Sequence, residues 1–211
     1  MSRGKRRLVA GREQILSAAR AIGAREGWRA VTIRSVAHEL GYASPLLYEH
    51  FRDKEELLTQ IAIEAIAMLE TRLTEKLPED SHAAALVMVE RYWNFMLEHT
   101  QLYRLMNGMD GVPIDKDAVS RSAQNLCKAI ADAVQPLAGE GATAADGRIL
   151  ADELWALLHG MAALYLDRFA PFDLERVTNA VLRMVGGVGK EPGIRPDATG
   201  NADSSNSVRQ D

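Results

Sequence analysis

Apolar positions recur at helical spacing along most of the chain, and no stretch alternates in the manner of a half-buried strand. Ile15, Ala18, Ala19 and Ile22 predict a first helix between Gly11 and Gly27. Ile33, Val36, Ala37 and Leu40 predict a second, with Thr32 as its N-cap and Gly41 as its left-handed stop. Ser44 and Pro45 follow, reading as N-cap and first residue of a short helix that buries Leu47 and Phe51. Asp53 and Glu56 then form a variant capping box. From there Leu57, Leu58, Ile61, Ala65, Leu69 and Leu73 carry an apolar stripe towards Pro78. That is a helix of about 24 residues, or ~36 Å at a rise of about 1.5 Å per residue.

Leu86, Val89, Tyr92, Trp93 and Met96 mark the next helix, ending near His99 or Thr100. A short segment, 101–107, leads into a loop, Gly108 to Pro113. Val119, Ala123, Leu126, Ile130, Val134 and Leu137 predict one helix closed by Gly139 and Gly141. The last two helices, 144–169 and 174–185, are separated by Pro171 and read as an antiparallel hairpin. The expected fold class is all-α: a three-helix helix-turn-helix domain followed by a larger helical bundle. The expected divisions are a basic arm over 1–10, a helix-turn-helix domain over 11–56, a larger helical domain over 57–189, and a disordered tail over 190–211.

Charge sharpens this picture. Residues 1–54 hold 11 Lys and Arg against 5 Asp and Glu, while the remainder holds 14 against 24. A chain of net charge −4 does not attract a polyanion as a whole, but one with its positive charge gathered at a helix-turn-helix does. One cysteine, Cys127, allows no internal disulfide and suits a reducing compartment. No apolar run is seen to approach the ~20 residues of a membrane span, and Met1 to Arg12 lacks the apolar core of a secretory signal. A cytoplasmic protein without membrane partners is expected.

Two short helices joined by a Gly-containing turn place the second where it can enter a DNA major groove. The residues Thr32-Ile33-Arg34, Val36-Ala37, Leu40-Gly41, Leu47-Tyr48, His50-Phe51 and Lys54 to Leu58 together resemble the DNA-binding domain of TetR-family transcriptional regulators. The turn departs from that pattern at Ala43, where the family often has Ser or Thr, and at Pro45 and Leu46, where it often has small or polar residues. A second motif, Trp155-x-x-x-His159-Gly160, resembles the Trp-x-x-x-His-Gly signature of a C-terminal domain in one branch of that family. The resemblance implies a repressor that binds a palindromic double-stranded operator as a homodimer and leaves it when a small ligand enters the larger domain. An alternative is a DNA-binding regulator controlled by a protein partner instead of a ligand.

For the operator, Thr32, Tyr48, His50 and Lys54 are the expected phosphate contacts, Ala43, Ser44, Pro45, Leu46 and Glu49 the expected base readers, and Arg34 a further expected DNA contact. Lys54 opens a helix, where a cation opposes the dipole, and an approaching phosphate would remove that conflict. In the larger domain Tyr92, Trp93, Met96, Tyr103, Met106, Trp155, His159 and Met161 are the expected lining of a mainly apolar pocket. Five of these eight carry a polar tip or ring nitrogen, and a sealed core uses Leu and Ile at lower cost. Leu154, Leu158, Leu174, Val177, Val181 and Val185 on the last hairpin are the expected dimer interface. His82, His99, His159 and Cys127 lack metal-ligand spacing, and no nucleophile elbow or phosphate-cradling loop occurs. No catalytic residue, metal or cofactor is therefore expected, and an all-helical enzyme is the third reading behind the two regulators.

Overall fold

A computed structural model describes residues 11–187. The expected basic arm and disordered tail concern residues outside that range. Ten α-helices and no strand occur among the described residues. They are α1 (Arg12–Glu26), α2 (Ile33–Leu40), α3 (Ser44–Tyr48), α4 (Lys54–Thr74), α5 (Ser81–Glu98), α6 (Thr100–Met106), α7 (Lys116–Ser122), α8 (Gln124–Val134), α9 (Ala144–Leu166) and α10 (Leu174–Gly187).

The small N-terminal bundle follows its caps. The Thr32 hydroxyl accepts from the Ser35 amide at 2.9 Å, and Gly41 ends α2 with φ +70. α3 differs from expectation at its start. Ala43 occupies the cap and offers no side-chain acceptor, so Ser44 is already helical and Pro45 sits in the first turn. Leu47 and Phe51 are buried, as their spacing implied. The Asp53 carboxylate caps α4 by accepting from the Glu56 amide at 2.8 Å. α4 then runs 21 residues and closes at Thr74 instead of reaching Pro78. Glu75 is extended and Lys76 is left-handed at φ +46, which turns the chain before the residue that must be extended ahead of proline.

Three further differences have local causes. The segment after His99 is a helix, α6, and not a connector. The single helix expected over 119–137 is broken at Ala123 and closes in a 3-10 turn at Gln135–Ala138. At the break the Ser122 hydroxyl donates to the Val119 carbonyl at 2.7 Å, competing for the ladder's own acceptor. Finally, α9 does have the length and apolar composition of a membrane span, with 33% of its apolar window buried inside the protein. Here it is a bundle helix packed along α8. Gly147 permits that approach, since a methyl there would lie 2.8 Å from the Gln135 Cβ and 2.9 Å from the Ala131 carbonyl oxygen.

One hydrophobic cluster runs unbroken from Ile15 in α1 to Val185 in α10. α10 packs on α5 as well as on α9, and this overturns the expected role of its apolar residues. Val177 and Val181 are fully buried, Leu154, Leu158 and Val185 are buried, and Leu174 is half-buried against the same core. The five buried side chains hold the protomer together, so they are not available as its dimer interface, and only Leu174 keeps an outward part.

Candidate functional site

The expected DNA face is built from the exposed side of α2 and α3. Thr32, Arg34, Ala43, Pro45, Tyr48 and Glu49 are all exposed. Arg34 makes no ion pair among the described residues, and the Tyr48 ring is 55% exposed. Ser44 and Leu46 are half-buried, and Leu46 leans on the core.

Two of the expected phosphate contacts turn inwards. The Lys54 ammonium donates to the Trp28 and Arg29 carbonyls, each at 3.0 Å, and burial lowers its pKa. The cation at the start of α4 therefore has an internal reason: it caps the connection between α1 and α2. His50 turns inwards, its Nε2 buried without a hydrogen-bond partner, so the ring does not present that nitrogen to a phosphate. Arg12 escaped the sequence reading. Its guanidinium lies 4.2 Å from the Phe51 ring centroid, donates to the His50 carbonyl at 2.9 Å, and reaches Gln60 Oε1 at 3.3 Å. It ties the start of α1 to the end of the reading helix and to α4.

The larger domain holds two adjoining spaces. The inner one, of about 40 Å³, lies between α4, α5, α8, α9 and α10 against wholly apolar neighbours such as Leu73, Met88, Val134 and Leu158, with Tyr92 and Trp155. The outer one, a cleft of about 310 Å³, is bordered by Met106, Asn107, Ile114, Lys116, Ser120 and Trp155, among others. Of the eight expected pocket residues, Tyr92 and Trp155 line the inner space, and Met106 and Trp155 the outer. Trp93, Met96, Tyr103, His159 and Met161 line neither. Trp93 packs edge-on against Tyr165 at 5.5 Å and is core.

The polar tips that argued for a cavity satisfy one another instead. The Tyr92 and Tyr103 hydroxyls are 2.8 Å apart, and the Tyr103 hydroxyl is 2.8 Å from His159 Nδ1. Tyr92 faces an apolar wall and has no other acceptor, so it donates to Tyr103, which donates to His159. Burial raises the Tyr92 pKa, pushes Tyr103 up to about 12, and lowers His159. All three groups are thus held neutral, in agreement with that proton order.

The same helix that carries Tyr103 also touches the DNA-binding bundle. The Trp28 indole donates to the Gln101 carbonyl at 2.7 Å. Arg29 reaches the Asp110 carbonyl at 3.4 Å, and the buried Thr59 hydroxyl of α4 accepts from the Asp115 amide at 2.9 Å. α4 is the continuous element shared by the two bundles, and α6 is a second bridge that sequence periodicity gave no sign of.

An exposed helix-turn-helix joined through α4 and α6 to an all-helical domain with an apolar space is the architecture of a DNA-binding transcriptional regulator. The comparisons agree. Residues 15–61 match the family profile described as bacterial regulatory proteins, tetR family, and residues 86–185 match one described as tetracyclin repressor-like, C-terminal domain. The uncharacterized HTH-type transcriptional regulator Rv0681 of Mycobacterium tuberculosis is 29% identical over 183 residues, covering 84% of this chain and 81% of its own. The HTH-type transcriptional activator FasR of Mycolicibacterium smegmatis is 26% identical over 180 residues, covering 83% and 81%. Among solved structures, a protein of unknown function from Rhodococcus sp. RHA1 superposes with a TM-score of 0.70 at 22% identity, covering 86% of this chain and 97% of its own. The fatty acid degradation regulator FadR from Bacillus halodurans superposes with a TM-score of 0.63 at 14% identity, covering 92% and 99%. The chain belongs to the TetR family, whose members are transcriptional regulators and not enzymes.

Proposed function

We propose that the protein binds a palindromic operator as a homodimer and is released from it by a mainly apolar ligand that enters the larger domain. The observation that carries this reading is the short connection between cavity and DNA-binding bundle. Tyr92 walls the inner space and is hydrogen-bonded to Tyr103 of α6, and two residues before Tyr103 the Gln101 carbonyl holds Trp28. A ligand that prefers one placement of Tyr92 thereby prefers one placement of the bundle, and only such a difference in affinity shifts the equilibrium. The name of the structural neighbour from Bacillus halodurans supports an acyl chain as the apolar part. Whether release raises or lowers transcription follows from where the operator lies relative to the promoter, and the relative FasR is named an activator.

The homodimer is supported by the outer face of the last hairpin. Ile149, Leu164 and Leu182 are large, apolar and exposed, at 58%, 45% and 40%. Ala156 and Gly160 are exposed between the first two, and a methyl on Gly160 would meet open space, so a partner helix can approach closely. The test is operator binding, followed by fluorescence anisotropy on a sequence selected from a random DNA pool. Apolar candidates, straight-chain acids first, are expected to release the wild type, and a Tyr103→Phe variant is expected to need more of the same compound. Leu182→Arg should give folded monomers in sedimentation, whereas Val181→Arg, which buries an unpaired charge, should unfold the protomer. Dimers that survive both Leu182→Arg and Leu164→Arg place the interface elsewhere.

A further inference from the structure

Trp155 is the one residue common to the walls of the inner space and the outer cleft. The two spaces differ in chemistry. The inner lining is apolar except for the Tyr92 hydroxyl and the Trp155 indole nitrogen, and carries no charge. The outer cleft has Asn107, Ser120 and a single charged side chain, Lys116, which makes no ion pair among the described residues. They differ in size as well: the inner space, about 40 Å³, is far below the ~300 Å³ at which ligand pockets begin, while the cleft at about 310 Å³ reaches it.

The partition itself is held loosely. The Trp155 ring meets Tyr92 edge-on at 5.8 Å, and its indole N–H makes no hydrogen bond to a described residue. Trp28, by contrast, is anchored through its indole N–H. A half-buried ring with no polar anchor can change rotamer without leaving a broken hydrogen bond behind.

We infer that Trp155 is a door, and that the ligand is an elongated amphiphile: its anionic head rests at Lys116 in the cleft, and its unbranched apolar tail displaces Trp155 to reach the inner space. This rests on the reading that the larger domain is ligand-responsive, and it adds the contact for the head group and the residue that selects for tail length. Tails too short to reach past the indole leave the partition in place. Longer tails move Trp155 and, with it, the face of Tyr92 that starts the connection to α6.

The test uses the full chain without DNA, with hexanoate, decanoate, tetradecanoate and 1-decanol as probes, and calorimetry and stopped-flow mixing as readouts. Wild type is expected to prefer decanoate and tetradecanoate to hexanoate and to take them up slowly. Trp155→Ala should speed uptake of the long acids by at least about tenfold and leave hexanoate nearly unchanged. Trp155→Phe, a smaller ring that keeps the packing, should fall between. Lys116→Gln should weaken decanoate by at least about tenfold, the loss of a charge-assisted contact, and leave 1-decanol as it was. The inference is overturned by any of three results: no binding of the acids to wild type, uptake rates that ignore both Trp155 variants, or equal weakening of acid and alcohol by Lys116→Gln. Operator release is measured separately. Acids that bind in this pattern without releasing DNA remove the ligand-response reading and leave the door standing.

Discussion

Gly23→Ala sets two effects of known sign against each other at the junction between the bundles. In the interior of an exposed helix the change stabilises by about 0.8–1.0 kcal/mol, because alanine is the better helix former. Here Gly23 is buried in α1, and a Cβ would lie 2.3, 2.5 and 2.7 Å from the Trp28 ring carbons Cζ3, Cε3 and Cη2. Carbon atoms rest at about 3.5–4.0 Å, so the indole must retreat by roughly 1 Å. It has little freedom to do so: Trp28 is 1% exposed, and its N–H is bonded to the Gln101 carbonyl at 2.7 Å. A shift of that size breaks the bond, costing about 0.5–1.5 kcal/mol, on top of about 1–3 kcal/mol for overpacking. The packing terms exceed the helix term, and a net loss of about 2 kcal/mol is expected.

Urea unfolding of wild type and variant measures that difference directly. Pairing Gly23→Ala with Trp28→Phe completes a cycle, in which the double variant should lose less than the sum of its parts because the smaller ring makes room. A Gly23→Ala variant that is more stable than wild type by about 1 kcal/mol would show an unpacked helix face and refute the contact. The same variant should also blunt release from the operator, since the bond it breaks is the one joining α6 to the DNA-binding bundle.

Lys54→Met should cost about 1 kcal/mol of stability, from the two carbonyls it abandons, while leaving the salt slope of operator binding unchanged. Arg34→Ala, which removes an exposed and unpaired cation, should leave stability alone and flatten that slope by about 0.9. Burial holds the His159 pKa below its ordinary value of 6.5, so the unfolded chain takes up a proton that the folded one refuses. Its contribution is therefore complete above the ordinary value and lost as pH falls towards the depressed one. Urea midpoints should drop as pH falls below the ordinary value of 6.5, and His159→Gln, which still accepts from Tyr103, should flatten the drop.

What the sequence made legible follows from how local each signal is. The limits of α2 are set by residues at its own ends, Thr32 at the start and Gly41 at the stop, and these can be read directly. The break at Ala123 has neither glycine nor proline, and depends on where the Ser122 hydroxyl turns. Pocket residues were harder, because the fate of a polar tip is decided by partners distant in sequence. Tyr92 meets Tyr103 11 residues on, and Tyr103 meets His159 56 residues on, so tips that implied a cavity satisfy each other in a core. The dimer face failed for a related reason. Periodicity reports which side of α10 is apolar, but not that α5 already covers it, and the outward Leu182 is simply the neighbour of the buried Val181.

The second bridge changes how movement can pass between the bundles. A helix shared by two bodies, as α4 is, transmits rotation only if something other than the helix fixes where each body sits along it. α6 supplies that on one side: it packs on α4, holds Trp28 through the Gln101 carbonyl, and holds the cavity wall through Tyr103. With both helices attached, the DNA-binding bundle has two points of support, and a small displacement of one against the other turns it about the support that stays fixed. The attachments are also unequal. Trp28 meets α6 by one hydrogen bond and a buried ring, whereas α4 enters the bundle through an unbroken backbone and the Lys54 contacts. A force applied at the cavity therefore acts first on the weaker support, at Trp28, and leaves α4 as the pivot.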